Sequence, residues 1–185
     1  MKPRILLYLS LGIALLAPAC GGKGGAETAG KNIGTATTYN LVTYKDGERR
    51  VPKAWVASDL KGATLRSSVF DGSVTVVNIW ASWCAPCRVE QPELQKVSAD
   101  YASKGVRFLG VDIRDTLAAA RAHVEEFGVT YPSVSDPYSV IASKYRVRLV
   151  PTTLVLDRRG RVAYQITSVT HEADLVRILD KELAT

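Results

Sequence analysis

The sequence contains few of the residues that bind metal ions or cross-link a small scaffold. Its 185 residues include three cysteines and two histidines. A disulfide-stabilised scaffold needs more cysteines, and a zinc ribbon needs a second Cys-x-x-Cys pair or two suitably spaced histidines. His123 and His171 lack metal-ligand spacing, and we interpret both as surface residues without a role. We therefore expect no metal site and no bound cofactor.

Long runs of positive charge and long apolar runs are also missing. The formal net charge is +6, but no run of Lys or Arg is longer than two residues. Scattered charge of this kind indicates a solvated, mildly basic surface, so we expect no nucleic-acid partner. The apolar stretch at residues 5–17 is too short to cross a bilayer comfortably. Apolar residues make up 46% of the chain, an ordinary value for a globular protein.

The apolar stretch has the features of an export signal. Lys2 and Arg4 precede it, and its length suits the apolar core of a signal peptide. Cys20 follows a small residue and resembles the cysteine of bacterial lipoprotein signals, which becomes the lipid-bearing first residue. Because Ala17 stands where such signals favour leucine, plain secretion is an alternative, as is a buried N-terminal helix. We predict a signal peptide over residues 1–19 and an acyl anchor at Cys20, on the outer face of the bacterial cell membrane.

The rest of the chain divides into a tether and one domain. Residues 20–38 are rich in Gly, Ala and Thr, which is typical of a flexible tether, and residues 39–185 show strand and helix patterns. A parallel crossover and a late hairpin predict an α/β fold with a mixed central sheet flanked by helices. The predicted strands are 39–44, 63–66, 74–80, 106–111, 152–156 and 162–166, and the predicted helices are 84–102, 116–127, 137–145 and a last helix capped by Thr170.

The residues with the clearest chemistry are two cysteines at a strand-to-helix junction. Cys84 and Cys87 follow a β-branched run that reads as a buried strand. A thiol at a helix N-terminus is favoured as thiolate by unpaired N–H groups and by the helix dipole. The spacing places the second thiol one turn along, close enough to attack a mixed disulfide. We predict Cys84 as the exposed nucleophile and Cys87 as the more buried resolving cysteine, with a structural disulfide or metal half-site as the alternative.

The segment 76–87, with Trp83-Cys84-Ala85-Pro86-Cys87 at its end, resembles the active-site strand and helix of thioredoxin-fold proteins. The continuation Cys-Arg-Val-Glu-Gln-Pro-Glu-Leu resembles more closely the TlpA/ResA-like group of exported, membrane-tethered thiol–disulfide oxidoreductases. The resemblance extends over residues 50–183 and implies a thioredoxin fold with an N-terminal β extension. It also implies a central strand–helix insertion, since the gap between the cysteine pair and the later Val-Pro-Thr is longer than minimal thioredoxins need.

The same resemblance assigns a role to a proline and its neighbours. Pro151 matches a cis proline that faces the disulfide, and the backbone before it, at Val150, can pair with an extended substrate. An ordinary trans proline at a strand start is the alternative. Further substrate contacts are expected from Trp83, Ala85 and Pro86.

A carboxylate completes the implied site. Glu90 lies three residues after Cys87, on the same helix face. Thioredoxins carry a buried aspartate on the preceding strand, where this chain has Asn78, which cannot titrate. The resemblance therefore assigns to Glu90 the transfer of a proton to or from the Cys87 sulfur. A solvated helix glutamate is the alternative.

The implied function is reduction of disulfides in exported proteins, with cytochrome c maturation as its setting. The redox-active disulfide of Cys84 and Cys87 would replace a cofactor. The expected partners are substrate proteins with disulfides or thiols, a membrane protein that donates electrons, and the membrane itself, with the chain acting as a monomer. A disulfide-forming oxidase and a non-enzymatic tethered docking lipoprotein are the alternatives. A thiol peroxidase would need a peroxidatic Cys with a nearby Thr and Arg, and no such arrangement precedes Cys84.

Overall fold

The computed structural model describes residues 40–185, so the predicted signal peptide, Cys20 and the tether lie outside the described residues. Within this range, none of the helices combines the length and the apolar character that a bilayer span requires. The strands are β1 (Asn40–Thr43), β2 (Val56–Ser58), β3 (Thr64–Arg66), β4 (Thr75–Trp80), β5 (Arg107–Ile113), β6 (Ser133–Asp136), β7 (Thr152–Leu156) and β8 (Val162–Thr167). The helices are α1 (Ala85–Ala102), α2 (Leu117–Glu126), α3 (Val140–Lys144) and α4 (Glu172–Leu183).

A six-stranded mixed sheet lies at the centre, in the order β1-β8-β7-β4-β5-β6. Strands β4, β5 and β6 are parallel, whereas β7 runs antiparallel to β4, and β8 antiparallel to both β7 and β1. Strands β2 and β3 form a separate two-stranded hairpin. Every residue of β4 is buried, as its β-branched sequence predicts for a central strand. Its carboxyl end therefore emerges from the middle of the sheet, directly before the cysteine pair.

Apolar clusters cover both faces of the sheet. On one face, Leu94 of α1 and Leu175 of α4 pack with Val76 of β4. On the other face, Ile141 of α3 and Trp55 pack with Val77 of β4. Alternate residues of the same strand thus face opposite layers, and helices flank the sheet on both sides, as predicted.

The predicted elements are present, but two short strands were not predicted. β2 is only three residues long, Val-Ala-Ser, and β6 contains one valine among two Ser and an Asp, residue types that do not favour strands. β6 extends the parallel part of the sheet beyond β5, and with α2 it supplies the predicted insertion. The helix predicted at 137–145 is shorter and begins at Val140. Gly128, which directly follows the helix predicted at 116–127, has φ +60°, the left-handed value typical of a residue that ends a helix.

The prediction that Thr170 caps the last helix is wrong. The N-cap of α4 is His171, whose side chain makes no capping hydrogen bond. The backbone N–H of Glu172 instead donates to the carboxylate of Glu93 on α1. A carboxylate from a neighbouring helix therefore takes the place of a local cap, which no local sequence pattern shows.

The interpretation of His123 as a surface residue is also wrong. His123 is 1% exposed and stacks on Trp80, with 4.4 Å between the ring centroids. Burial lowers the pKa of its imidazole to about 4, because the charged form loses its hydration. His123 is therefore a neutral core residue of α2, whereas His171 is partly exposed.

Candidate active site

The cysteine pair lies where the central strand meets its helix. Cys84 is the N-cap of α1, and its Sγ accepts the backbone N–H of Cys87 at 3.2 Å. Cys84 and Cys87 form a disulfide with 5.3 Å between their Cα atoms. Pro86 occupies the first turn, where a residue without an N–H fits best. The helix N-terminus thus points its free N–H groups toward the Cys84 sulfur, an arrangement that favours a thiolate once the disulfide is reduced.

Access to the two sulfurs differs less than the sequence suggested. Cys84 is 4% exposed and Cys87 is 1% exposed, so the prediction of an exposed Cys84 is wrong in degree. The residues around the pair are open: Trp83 is 55% exposed, and Ala85 and Pro86 are exposed as well. A partner must therefore approach over these three residues to contact the Cys84 sulfur.

The loop before β7 closes the site from another direction. The bond between Val150 and Pro151 is cis. Val150 is partly buried and packs against the cluster that contains Cys84 and Cys87. Because β7 pairs with β4, the start of β7 lies beside the end of the strand that leads to the cysteines. The structure thus brings together the cysteine pair and the proline that the sequence singled out.

Glu90 lies inside the protein, one turn beyond Cys87. Its side chain is 0% exposed, so it is not a solvated helix glutamate. Oε1 accepts the Nδ2–H of Asn78 at 2.7 Å, and Oε2 accepts the backbone N–H of Thr170 at 2.7 Å. Burial raises the pKa of Glu90 to about 7, although both hydrogen bonds favour the ionised form. At neutral pH this carboxylate can therefore both take up and release a proton.

The loop between β5 and α2 contacts the cysteine segment, which sequence reasoning missed. The Nε1–H of Trp83 donates to the carbonyl oxygen of Arg114 at 3.1 Å. The backbone N–H of Ser82 donates to Oδ2 of Asp115 at 2.7 Å. A usable signal existed: ligands and catalytic groups gather at the carboxyl ends of adjacent parallel strands, and β5 follows β4 in the sheet.

A buried acid lies at the end of the same strand. Asp112 pairs in register with Trp80 and is 0% exposed, and neither carboxylate oxygen has a hydrogen-bond donor. Burial, followed by the negative charge of Asp115, raises the pKa of Asp112 to about 8. Sequence reasoning treated Asp112 only as the end of a strand.

The chemistry available at this site is thiol–disulfide exchange. It combines a disulfide at a helix N-terminus, a buried carboxylate with a pKa near neutrality and an open apolar approach. Across residues 40–185, no group of three or more His, Cys, Asp and Glu side chains is placed to hold a metal ion. The group at this site that can exchange electrons is the Cys84–Cys87 disulfide.

Comparison with known proteins agrees with this chemistry. The family model described as Redoxin matches residues 45–182. Thiol-disulfide oxidoreductase ResA of Geobacillus kaustophilus is 32% identical over 126 residues, which cover 68% of this chain and 72% of the relative. Thiol:disulfide interchange protein HelX of Rhodobacter capsulatus is 36% identical over 115 residues, covering 62% of this chain and 63% of the relative.

The structural comparison identifies the fold. The crystal structure of a secreted thiol-disulfide isomerase from Corynebacterium glutamicum aligns with a TM-score of 0.73 and 27% identity, covering 78% of this chain and 92% of that protein. The fold predicted from the cysteine motif, a thioredoxin fold with an N-terminal extension and a central insertion, is confirmed. The chain belongs to the redoxin family and is a protein thiol–disulfide oxidoreductase.

Proposed function

We propose that this oxidoreductase reduces disulfides of exported proteins on the outer face of the cell membrane. The observation that carries the proposal is the buried carboxylate of Glu90, one turn from Cys87 and with a pKa of about 7. Thiol exchange at neutral pH needs a group that moves a proton at the resolving sulfur, and a carboxyl with this pKa is suited to that task.

The proposed cycle has two steps. The Cys84 thiolate attacks a substrate disulfide, so that a Cys84–substrate bond forms and the first substrate thiolate leaves. Glu90 takes the proton of the Cys87 thiol, and the Cys87 thiolate then attacks Cys84. The second substrate thiolate leaves and is protonated, and the enzyme retains the Cys84–Cys87 disulfide. Two electrons from a membrane donor protein restore the dithiol.

Substrate contacts are proposed for the residues that surround the disulfide. Trp83, Ala85 and Pro86 are exposed beside Cys84. Val150 precedes the cis proline Pro151 and packs against the cysteine cluster. An extended segment laid between these two loops would bring its own disulfide to the Cys84 sulfur.

The direction of electron flow follows from how a thiolate is stabilised. Strong oxidants of this fold owe their high potential to a stabilised reduced form. Here only Ala85 and Pro86 lie between the cysteines, so no charged side chain between them stabilises the Cys84 thiolate. We therefore expect a reducing potential. A measured reduction potential above about −150 mV would contradict the reductase, since strong oxidants lie near −120 mV.

The proposed setting is cytochrome c maturation, in which haem-binding thiols must be kept reduced. The direct test uses a peptide with a disulfide-bonded Cys-x-x-Cys-His sequence, the c-type haem attachment motif. The reduced enzyme should reduce this peptide, and Cys87→Ser should stop at the mixed disulfide on Cys84. A wild-type enzyme that leaves the peptide oxidised but reduces other disulfides would restrict the proposal to other exported substrates.

The proposed location rests on Cys20 and on the secreted relative from Corynebacterium glutamicum. Acylation of Cys20 would hold the domain at the membrane through the segment 20–38. Cys20→Ser should move the protein from the membrane fraction to the soluble extracytoplasmic fraction. An unchanged membrane fraction would contradict lipid anchoring and leave the exchange chemistry intact.

A further inference from the structure

The exposed charges around the disulfide are almost all positive. Three segments border the site: 81–89 contains the cysteines, 114–117 contacts Ser82 and Trp83, and 146–151 reaches the cysteine cluster through Val150. Together these segments contain Arg88, Arg114, Arg146 and Arg148, and a single acidic residue, Asp115.

The acids near the site do not offset this charge at the surface. Asp115 is partly buried, and its two oxygens accept the backbone N–H groups of Ser82 and Thr116, each at 2.7 Å. Glu90 and Asp112 are fully buried. Glu126 pairs with one arginine of the set, Arg88. Arg146 lines a separate pocket with Arg50 and Lys144. Arg114 and Arg148 therefore remain as the positive charges at the surface of the site.

The segments that border the site carry a net positive charge in the sequence. Residues 40–185 contain 20 Lys and Arg against 17 Asp and Glu, a net charge of +3. The three bordering segments contain four arginines and one aspartate, which is also a net charge of +3. Outside these segments, the domain contains as many Lys and Arg residues as Asp and Glu residues. Near the site, Leu60 of the cysteine cluster stands between one acid and one base, Asp59 and Lys61.

Arg114 is held against Trp83, the residue before the nucleophile. Its backbone has φ +51°, a left-handed value that is uncommon for a side chain of this size. Its carbonyl oxygen accepts the indole N–H of Trp83, and its guanidinium carbon lies 5.5 Å from the centre of the Trp83 ring. Trp83 immediately precedes Cys84. The guanidinium is thus held against the exposed indole of the residue that precedes the nucleophile.

Arg148 lies in the loop that leads to the cis proline, which reaches the cysteine cluster through Val150. It is exposed and is two residues before Val150, a chain distance of at most about 7 Å. Leu149 between them is 65% exposed. Among the described residues, neither Arg114 nor Arg148 forms an ion pair with an acid. Before Cys84, and again in the loop before Pro151, an exposed apolar side chain therefore accompanies a cation that forms no ion pair among the described residues.

We propose that the surface formed by Trp83, Arg114, Arg148 and Leu149 selects substrate segments in which acidic residues flank the reactive cysteine. This inference rests on the proposed function, namely attack of Cys84 on substrate disulfides. The apolar pair would contact the substrate chain, and each arginine would attract a carboxylate on one side of the cysteine. Substrates with basic flanks would be repelled by the same two charges.

The test uses three peptides that differ only in the residues flanking one cysteine: two Glu, two Gln or two Lys. Each cysteine is linked to thionitrobenzoate, whose release is followed by absorbance after mixing with the reduced full-length protein. At about 20 mM ionic strength, we expect the Glu peptide to react roughly tenfold faster than the Lys peptide. At about 0.5 M salt the difference should fall below about twofold, because surface charges are then screened.

Substitutions of Arg114 and Arg148 test whether these two side chains cause the preference for the Glu peptide. The double change Arg114→Gln with Arg148→Gln should remove the preference, and Arg114→Lys with Arg148→Lys should keep it. Arg107→Gln is the matched control, since Arg107 is exposed at the opposite end of β5. Equal rates for the three peptides in the wild type, or a preference that survives the double Gln change, would overturn the inference. A wild type that reacts with none of the peptides would refute the proposed function itself, and this inference with it.

Discussion

Asn78 and Glu90 are joined by a buried hydrogen bond of 2.7 Å between the central strand and the first helix. Asn78 occupies the strand position that carries an aspartate in thioredoxins, and it also donates to Thr153 Oγ1 of β7 at 3.1 Å. The Glu90 carboxylate therefore accepts one hydrogen bond from Asn78 on β4 and one from the backbone N–H of Thr170, in the loop before α4. In this protein the strand supplies a neutral donor and the helix supplies the titrating acid.

Replacing Glu90 by Gln should remove the proton acceptor of the second chemical step. With a pKa of about 7, Glu90 becomes ionised as the pH rises through neutrality, so the wild-type rate of mixed-disulfide resolution should rise with an inflection near pH 7. In Glu90→Gln this inflection should be lost and the rate should fall by about 100-fold. Single-turnover release of a chromogenic thiol between pH 5 and pH 9 measures both quantities.

The control for this variant is Glu125→Gln, which removes an exposed carboxylate from α2. It should leave the rate and the inflection unchanged. If Glu90→Gln also retained the inflection near pH 7, another group would be the proton acceptor and the proposed role of Glu90 would be refuted.

Asn78→Ala should move the same inflection to higher pH. The hydrogen bond from Asn78 stabilises the ionised carboxylate, and its loss leaves burial, which favours the protonated form. A hydrogen bond to a charged group contributes about 1.5–3 kcal/mol, so the apparent pKa should rise by at least about one unit. Thr153→Val is the control, because it removes only the second bond of Asn78. An Asn78→Ala enzyme with the wild-type inflection would contradict this coupling.

Glu182→Gln should destabilise the domain. Both Glu182 oxygens accept from Arg49, at 2.8 and 2.9 Å, and the Glu182 side chain is 1% exposed. The change leaves the Arg49 guanidinium with Asp157 as its only carboxylate partner in the described structure. We expect a loss of roughly 2 kcal/mol in the free energy of unfolding, measured by urea denaturation, because a mostly buried charge loses a partner.

The comparison for Glu182→Gln is Lys96→Ala. Lys96 forms ion pairs with Asp100 and Glu172, but its side chain is 56% exposed. Exposed ion pairs contribute little to stability, so this variant should unfold at nearly the same urea concentration as the wild type. Equal losses for the two variants would show that burial does not set the strength of the Arg49 pairs.

The predictable parts of the fold were those set by local pattern. The β-branched run of β4 and the Cys-x-x-Cys after it define one junction, and the structure places it at the centre of the sheet. His123 could have been found by the same means, since Ala120, Val124 and Phe127 recur around it at helical spacing on α2. His123 was considered only as a possible metal ligand, and this spacing was not used.

Other features depended on contacts between distant residues. Arg114 meets Trp83 across 31 positions, and Arg49 meets Glu182 across 133. Residues this far apart along the chain leave no pattern in a single sequence that would predict their contact. The resemblance to thioredoxin-fold proteins supplied the cis proline and Glu90, because it conveys tertiary contacts that periodicity cannot show. It did not supply the contacts of the β5–α2 loop.

Asp112 gives the last prediction, a change in how stability depends on pH. Asp112 is fully buried without a donor, and its pKa is raised to about 8 by burial and by the nearby Asp115. The unfolded chain titrates this group near pH 4. The folded state binds the Asp112 proton more tightly than the unfolded chain does. Protonation of Asp112 therefore adds to the free energy of unfolding, and this contribution is complete below about pH 4. It decreases as the pH rises and is lost once the pH has passed about 8.

Asp112→Asn replaces the carboxyl by a neutral group of nearly the same shape. The free energy of unfolding of the variant, minus that of the wild type, should therefore increase steadily from about pH 4 to pH 8 and then become constant. Urea unfolding at closely spaced pH values measures this difference, and the contribution of Glu90 cancels because both proteins contain it. Asp71→Asn, at an exposed site, controls for the loss of a carboxylate as such. A pH-independent difference for Asp112→Asn would mean that Asp112 is ionised in the folded protein at neutral pH, and that a donor or an ion compensates its charge.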